Sequence, residues 1–153
     1  MLITKKTEYA LKALCHLALL PENSSMQISD LAHDNHIPKK FLEFILLSLR
    51  KGGILQSRIG KGGGYRLSQK PSSVTVGSVV KILDGDIAVT GCFNNNGNGR
   101  CEGDDGLCCA LHGAMKEIQV SIESVLDTTT LEDLIKRIEA EQARRATTLD
   151  YCI

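Results

Sequence analysis

The segment CFNNNGNGRCEGDDGLCCALH, Cys92 to His112, gathers four of the chain's six cysteines and one of its four histidines into twenty-one residues. Thiols at that density can pair as disulfides, hold a soft metal centre, or serve as reactive groups. The chain opens with MLITKKTEYALKALCHLALL, in which Glu8 and Lys12 interrupt the apolar run and no small-residue cleavage site follows. Neither a secretory signal nor a membrane span is therefore expected, and the reading is a cytoplasmic protein. In a reducing cytoplasm, cysteines are ligands, reactive thiols or buried fillers more often than a disulfide framework. Cys15, among apolar helical neighbours, reads as a core filler, and Cys152 as a spectator in the tail.

The elements that must position this loop are mostly α with one small β-hairpin. With 153 residues, 42% of them apolar, the chain can bury one core. Its charge is uneven. Residues 1–70 carry eleven Lys/Arg against five Asp/Glu, and residues 71–153 carry seven against thirteen, so a +6 half is joined to a −6 half. Such asymmetry suits a first half that meets a polyanion.

Thr7 to Leu20 shows a wide apolar face at helical spacing, formed by Ala10, Leu11, Leu14, Leu17 and Ala18. In MQISDLAHDNHIPKKFLEFILLSLRKGGIL, Ile28, Leu31 and Ala32 mark a helix of barely two turns and Asn35-His36 a turn. Pro38 then stands in the first turn of the next helix, where its missing N–H costs nothing. Spacing there predicts a buried stripe of Ile37, Phe41, Phe44, Ile45 and Leu49, with Lys39, Lys40 and Glu43 together on the other side. This is the pattern of a helix-turn-helix, and equally of an ordinary helical hairpin.

The next segment tips the balance. ILQSRIGKGGGYRLSQKP alternates apolar and polar residues on both sides of GKGGG, as two short strands joined by a glycine-rich turn do. A hairpin directly after a helix-turn-helix is a wing, with Arg58, Lys61 and Arg66 around its tip. The glycine run is not a phosphate loop, because it lacks the G-x-x-x-x-G-K-[ST] spacing and a following helix. TVGSVVKIL is a short amphipathic helix ended by DGD. Beyond the cysteine loop, Leu111, Met115, Ile118, Ile122, Val125 and Leu126 make a stripe on a helix of about four turns, able to dock on its own chain or on a second copy. TTTLEDLIKRIEAEQARR restarts a helix, with Thr130 as N-cap and Asp133 in its first turn.

The segments TKKTEYALKAL, ISDLAHDNHIPKKFLEFILLSLRKGGIL, GKGGGYRL and TTLEDL, in this order, resemble the Rrf2 family of bacterial winged-helix transcription regulators from Met1 to about Ile138. The most specific parts are the GGY of the wing behind a leucine-rich recognition helix, and the cysteine loop ahead of the long helix. The resemblance implies a winged helix-turn-helix domain at 1–83, a cluster-binding loop at 84–112, a dimerisation helix and C-terminal helix at 113–145, and a tail at 146–153. It implies no enzyme, but a homodimer bound to a palindromic operator in double-stranded DNA. In many members an iron–sulfur cluster sets the DNA affinity.

By the same resemblance Lys39, Lys40 and Glu43 face the groove. The lysines would contact phosphate or guanine and the glutamate would accept from cytosine N4, a solvent-facing carboxylate being the plainer alternative for Glu43. Many members have an arginine directly before the glycine that opens the wing tip. Here that position is Ile59, which leaves the minor-groove contact to Arg58 or Lys61.

The implied cluster, 2Fe–2S or 4Fe–4S, takes Cys92, Cys101 and Cys109, with Cys108 as the alternative to Cys109. Eight and then seven residues intervene between these ligands, somewhat more than in the relatives. The fourth ligand is His112, or Glu8 donated by the partner subunit. Soft thiolates on a glycine-rich loop suit iron and sulfide. Zinc prefers close C-x₂₋₄-C pairs, and the calcium-like rhythm of Asn94, Asn96, Asn98 and Gly99 lacks its first acid and final glutamate. A metal-free thiol switch remains the alternative. A cysteine-based redox enzyme using Cys108 or Cys109 with His112 is weaker, because it leaves the wing unexplained.

Overall fold

The computed structural model describes residues 3–21, 23–60, 62–86 and 106–150, the side chains of 106–109 and 146–150 excepted. Its elements are α1 Lys5–Ala18, α2 Ile28–Asp34, α3 Lys39–Lys51, β1 Leu55–Arg58, β2 Gly64–Leu67, α4 Val76–Asp84, α5 Gly106–Thr128 and α6 Leu131–Asp150. A single 3₁₀ turn, Pro71–Ser73, leads into α4. The expected class, mostly helical with one hairpin, is what the chain adopts. No helix among the described residues is long and apolar enough to cross a membrane.

Helix α1 starts where the Thr4 side chain accepts the Thr7 N–H at 3.4 Å, and it buries Thr7, Ala10, Ala13, Leu14, Cys15 and Leu17. Helix α3 buries Leu42, Ile45, Leu46 and Leu49, an i, i+3, i+4, i+7 line. These side chains join Leu14, Leu31, Ile54, Val79 and Leu131 in one core, each buried leucine contributing about 1.5–3 kcal/mol. Ile37, Ile45 and Leu49 are buried as expected, but Phe41 and Phe44 are 40% and 60% exposed and do not belong to the stripe. The segment FLEFILLSL holds more apolar residues than one helix face accommodates. The core takes the face centred on the leucines, leaving Phe41 at its margin, edge-on to Tyr9 of α1 at 5.9 Å.

The hairpin pairs Leu55 with Leu67 through Arg58 with Gly64 in antiparallel register. Met26 adds a bridge on the outer side of β2, donating its N–H to the Tyr65 carbonyl at 3.0 Å and accepting the Tyr65 N–H at 2.8 Å. That bridge explains the glycine before Tyr65. Gly64 has φ of +153°, and a Cβ there would collide with the Met26 carbonyl.

The C-terminal half is bound into the same core. Thr75 caps α4 by accepting the Ser78 N–H at 3.1 Å, and α4 ends at Gly85 with φ of 81°. Helix α5 is 23 residues long, beginning at Gly106 and exceeding the expected four turns. Its Ile122 and Leu126 meet Val76 and Val80 of α4. At α6, Thr130 and Asp133 form a reciprocal cap: Asp133 N–H donates to Thr130 Oγ1 at 3.2 Å, and Thr130 N–H donates to the Asp133 carboxylate at 3.0 Å. Leu131 is fully buried, with its N–H on the Val74 carbonyl at 2.9 Å. Helix α6 continues to Asp150, into the segment expected as a tail. Helix-forming residues carry it on after its apolar side ends, and residues 136–145 are all exposed.

Asp84, at the last turn of α4, ties that helix to the start of α1. Its carboxylate accepts from Thr7 Oγ1 at 2.6 Å and Thr4 Oγ1 at 2.8 Å and lies 3.5 Å from Lys6 Nζ. Burial opposes its ionisation, but the hydroxyls of Thr7 and Thr4, the Thr4 N–H and Lys6 outweigh that and hold the carboxyl below its ordinary value of 3.8.

Two predictions follow from this framework. Gly64→Ala lowers stability by about 2–3 kcal/mol in thermal or urea melts, since backbone strain and collision add. Gly62→Ala, with φ of +80° and open space around the new Cβ, costs only about 1 kcal/mol. Asp84 has a depressed folded pKa, so its contribution is complete above pH 3.8 and disappears as pH falls through the lower folded value. Asp84→Asn should therefore cost about 1 kcal/mol at pH 7 at this partly screened site and less near pH 2. An equal cost at both pH values would contradict the assignment.

Candidate nucleic-acid interface and cluster loop

Between α2 and α3 the chain turns in four residues. Asn35 Nδ2 donates to the Leu31 carbonyl at 2.8 Å, His36 adopts φ of 53°, and the buried Ile37 donates its N–H to the Ala32 carbonyl at 2.9 Å. Pro38 is the N-cap of α3, and its carbonyl accepts the N–H groups of Phe41 and Leu42 at 3.0 Å. The first turn of α3 contains no acid and begins with Lys39 and Lys40. The positive end of the helix dipole and two ammonium groups therefore coincide. Lys39, Lys40 and Glu43 are all exposed, and none has an ion-pair partner among the described residues. The structure brings these three together as expected.

The wing contributes unequally. Arg58 ends β1 and is exposed, and Ile59 beside it is 97% exposed. Lys61 lies outside the described residues. Ser25 Oγ fixes the tip by donating to the Gly62 carbonyl at 2.8 Å. Arg66 sits two residues along β2 from Gly64, half-buried, donating to Asn23 Oδ1 at 3.4 Å and Gln56 Oε1 at 3.5 Å. Those bonds make it a tie between the wing and the loop after α1. At the other end of α3, Arg50 Nη1 donates to Ser57 Oγ at 3.2 Å, and Lys51 is exposed. Phe44, expected in the buried stripe, lies with Leu47 and Lys51 on the exposed outer face of α3. The buried i, i+3, i+4, i+7 line of Leu42, Ile45, Leu46 and Leu49 was the signal that would have placed them there.

Of the expected cluster donors, Cys92 and Cys101 lie outside the described residues, as does the calcium-like rhythm at 94–105. Cys108 and Cys109 fall within α5, four and three residues before the half-buried His112 on one continuous helix. Both spacings are those of neighbours on a helix surface. Glu8 is engaged elsewhere in this protomer, with Lys5 Nζ at 2.6 Å and Lys12 Nζ at 3.1 Å. The Lys5 hydrogen bond first, and then that of Lys12, hold its carboxyl below the usual range. Both lysines also lie over the Tyr9 ring, 6.0 and 5.8 Å from its centroid. Cys15 is buried, and desolvation pushes its thiol up to about 11, as suits a core filler. Among the described residues no group of three or more His, Cys, Asp or Glu side chains is placed to hold a metal ion.

Helix α5 carries a second feature. Leu111, Ile118 and Val125 are exposed at seven-residue intervals, while Ile122 and Leu126 are partly covered by α4. Lys81 of α4 and Asp127 of α5 pair at 3.0 Å beside that contact.

Comparison with known proteins agrees with this arrangement. The Rrf2 family model, described as an iron-dependent transcriptional regulator, matches residues 3–137. An Rrf2-like HTH-type transcriptional regulator of Rhodobacter capsulatus is 37% identical over 138 residues, covering 88% of this chain and 92% of that one. The HTH-type transcriptional regulator IscR of Aliivibrio salmonicida is 31% identical over 153 residues, covering 100% and 88%. Among solved structures, CymR, the global cysteine regulator of B. subtilis, superposes with a TM-score of 0.75 at 27% identity over 90% of this chain and 98% of that one. IscR of T. potens does so with 0.72 at 25% identity over 93% and 91%. The helix-turn-helix, the wing and the matched span together show that the chain belongs to the Rrf2 family of winged-helix transcription regulators, which bind DNA and are not enzymes.

Proposed function

We propose that the protein is a cytoplasmic homodimer whose affinity for a palindromic operator is set by an iron–sulfur cluster on the Cys92–His112 loop. The observation that carries this reading is that Cys108, Cys109 and His112 share one helix with the exposed heptad Leu111, Ile118 and Val125. A change at the donor end of α5 therefore acts on the same rod that would pair with a second copy. Two heads joined through α5 present two α3 helices to successive major grooves, and a palindrome matches that symmetry.

Within each head, Lys39, Lys40 and the α3 N-terminus bind phosphate, Glu43 accepts from a base-edge amino group, and Arg58 with Lys61 serves the wing. The donor chemistry fits the cluster: Cys92, Cys101 and one of Cys108 or Cys109 supply thiolates, Cys109 preferred for its two-residue gap to His112. His112, on the same helix as Cys108 and Cys109, is the fourth ligand in this reading, with Glu8 donated by the partner subunit as the alternative. When bound, the cluster supplies a group sensitive to iron supply, oxidants or nitric oxide. The switch is linkage, in which the signal shifts operator affinity only as far as the two states differ in theirs.

A second reading, a metal-free thiol switch, draws support from the likeness to CymR, the global cysteine regulator. Its chemistry would rest on the same loop thiols.

Removing Lys39 and Lys40 together should weaken binding to all duplexes alike and reduce the slope of log K against log salt by up to about two, at roughly 0.9 per phosphate lost. An unchanged slope in filter or fluorescence titrations would remove these lysines from the interface. Anaerobic reconstitution should give a coloured protein with bound iron and acid-labile sulfide. Cys92→Ala, Cys101→Ala and Cys109→Ala should each lose that iron, His112→Ala should alter the spectrum, and Glu8→Ala should leave it as it is. A colourless, iron-free protein that still changes operator affinity with thiol oxidation would select the second reading.

A further inference from the structure

We infer that Phe44, with Leu47 one turn on, reads thymine through its C5 methyl group in the major groove, which makes it a specificity-determining residue; the inference rests on the assignment of α3 as the DNA reader. The core takes one apolar face of α3, and a second faces outward. On that outer side Lys40, Phe44, Leu47 and Lys51 follow at i, i+4, i+7 and i+11, and all are exposed, Phe44 at 60% and Leu47 at 37%. Phe41 is different, because Tyr9 of α1 meets its edge. A phenylalanine that is 60% exposed gives up most of the favourable burial of its apolar surface. A second surface recovers that energy when it covers the ring.

The flanking charges say which surface. Lys40 and Lys51 close the stripe at both ends, and Lys39 and Arg50 stand beside it, so the partner is a polyanion with an apolar spot between its charges. Duplex DNA has that form, with phosphate walls and, on the major-groove floor, one apolar group, the thymine methyl. Glu43, adjacent to Phe44 and exposed, is repelled by phosphates and finds its partners only at base-edge amino groups. Its presence sets this part of the helix over the bases and not along the backbone. Phe44 and Glu43 then divide the work, the ring selecting a methyl and the carboxylate an amino donor.

The test uses the full-length protein in its apo and anaerobically reconstituted forms. Duplexes are selected from a randomised pool by the unaltered protein, and each thymine of the selected sequence is then replaced by deoxyuridine, which removes only the methyl. At one or more positions the replacement should weaken binding by about three- to tenfold, the scale of one buried methyl and its surroundings. In Phe44→Ala and Phe44→Gln the same replacement should have no effect, with the salt slope unchanged. Both variants should melt near the parent temperature, since the ring is mostly exposed. Indifference of the unaltered protein to every deoxyuridine, or full sensitivity in Phe44→Ala, overturns the role of Phe44 while leaving α3 as the reader. Failure of the unaltered protein to select any sequence overturns the DNA-reading assignment itself. Sedimentation showing that Phe44→Ala changes assembly state while deoxyuridine sensitivity persists would make the patch a contact between copies, and would likewise overturn the inference.

Discussion

The burial of Leu42, Ile45, Leu46 and Leu49 against Leu14, Leu31 and Val79 sets the orientation of α3, and with it the face that this helix turns outward. A helix that rotated by one residue would move each side chain by about 100°, turning Glu43 and Arg50 into the core in one sense and Phe41, Phe44 and Ser48 in the other. Either rotation would cost the burial of leucines, and the first would also desolvate charges. The outward face is thus held by the core, and the lysines need no bonds of their own to stay outside. Their lack of ion-pair partners among the described residues leaves them available to phosphate.

The same core receives the second half of the chain. Leu131 is buried within it, and the backbone between Val74 and Val76 pairs with the backbone between Thr129 and Leu131. The α5–α6 corner is therefore not a separate body hung on a linker, and a displacement of α5 is resisted by the head that holds α3. Asp84 reinforces this at the opposite end of α4, joining it to the start of α1 immediately before the cysteine-bearing segment. Helices α5 and α3 are connected through packed side chains and backbone bonds, the kind of medium that can carry coupling between two sites.

The wing shows how division of labour arises within a few residues. Alternation along β2 sends Arg66 toward Asn23 and Gln56, where it stabilises the hairpin, while Arg58 at the end of β1 stays exposed. Gly64 pays for the close approach of Met26, whose backbone completes the outer edge of the hairpin.

Much of this was determined by local chemistry and was therefore legible in the residues alone. The helix-turn-helix, the hairpin with its glycine-rich turn, the Thr130–Asp133 cap and the apolar stripe of α5 depend on contacts within a few positions, which turn preferences and periodicity record directly. Other features could not be read that way. FLEFILLSL offers two overlapping apolar faces, and only the surfaces of α1, α2 and α4 choose between them, which is why Phe41 and Phe44 lie outside. The start of α5 at Gly106, which places Cys108, Cys109 and His112 on one helix, is set by packing far down that helix, because helix growth is cooperative and residues near the end follow the anchored part. Glu8 held between two lysines, and Arg66 bonded to Asn23 and Gln56, likewise come from neighbours brought near by folding. The sequence by itself determined the kinds of element and the chemistry each carries; the tertiary structure decided which faces of those elements meet the core and which are left for a partner, because burial is a property of neighbouring surfaces.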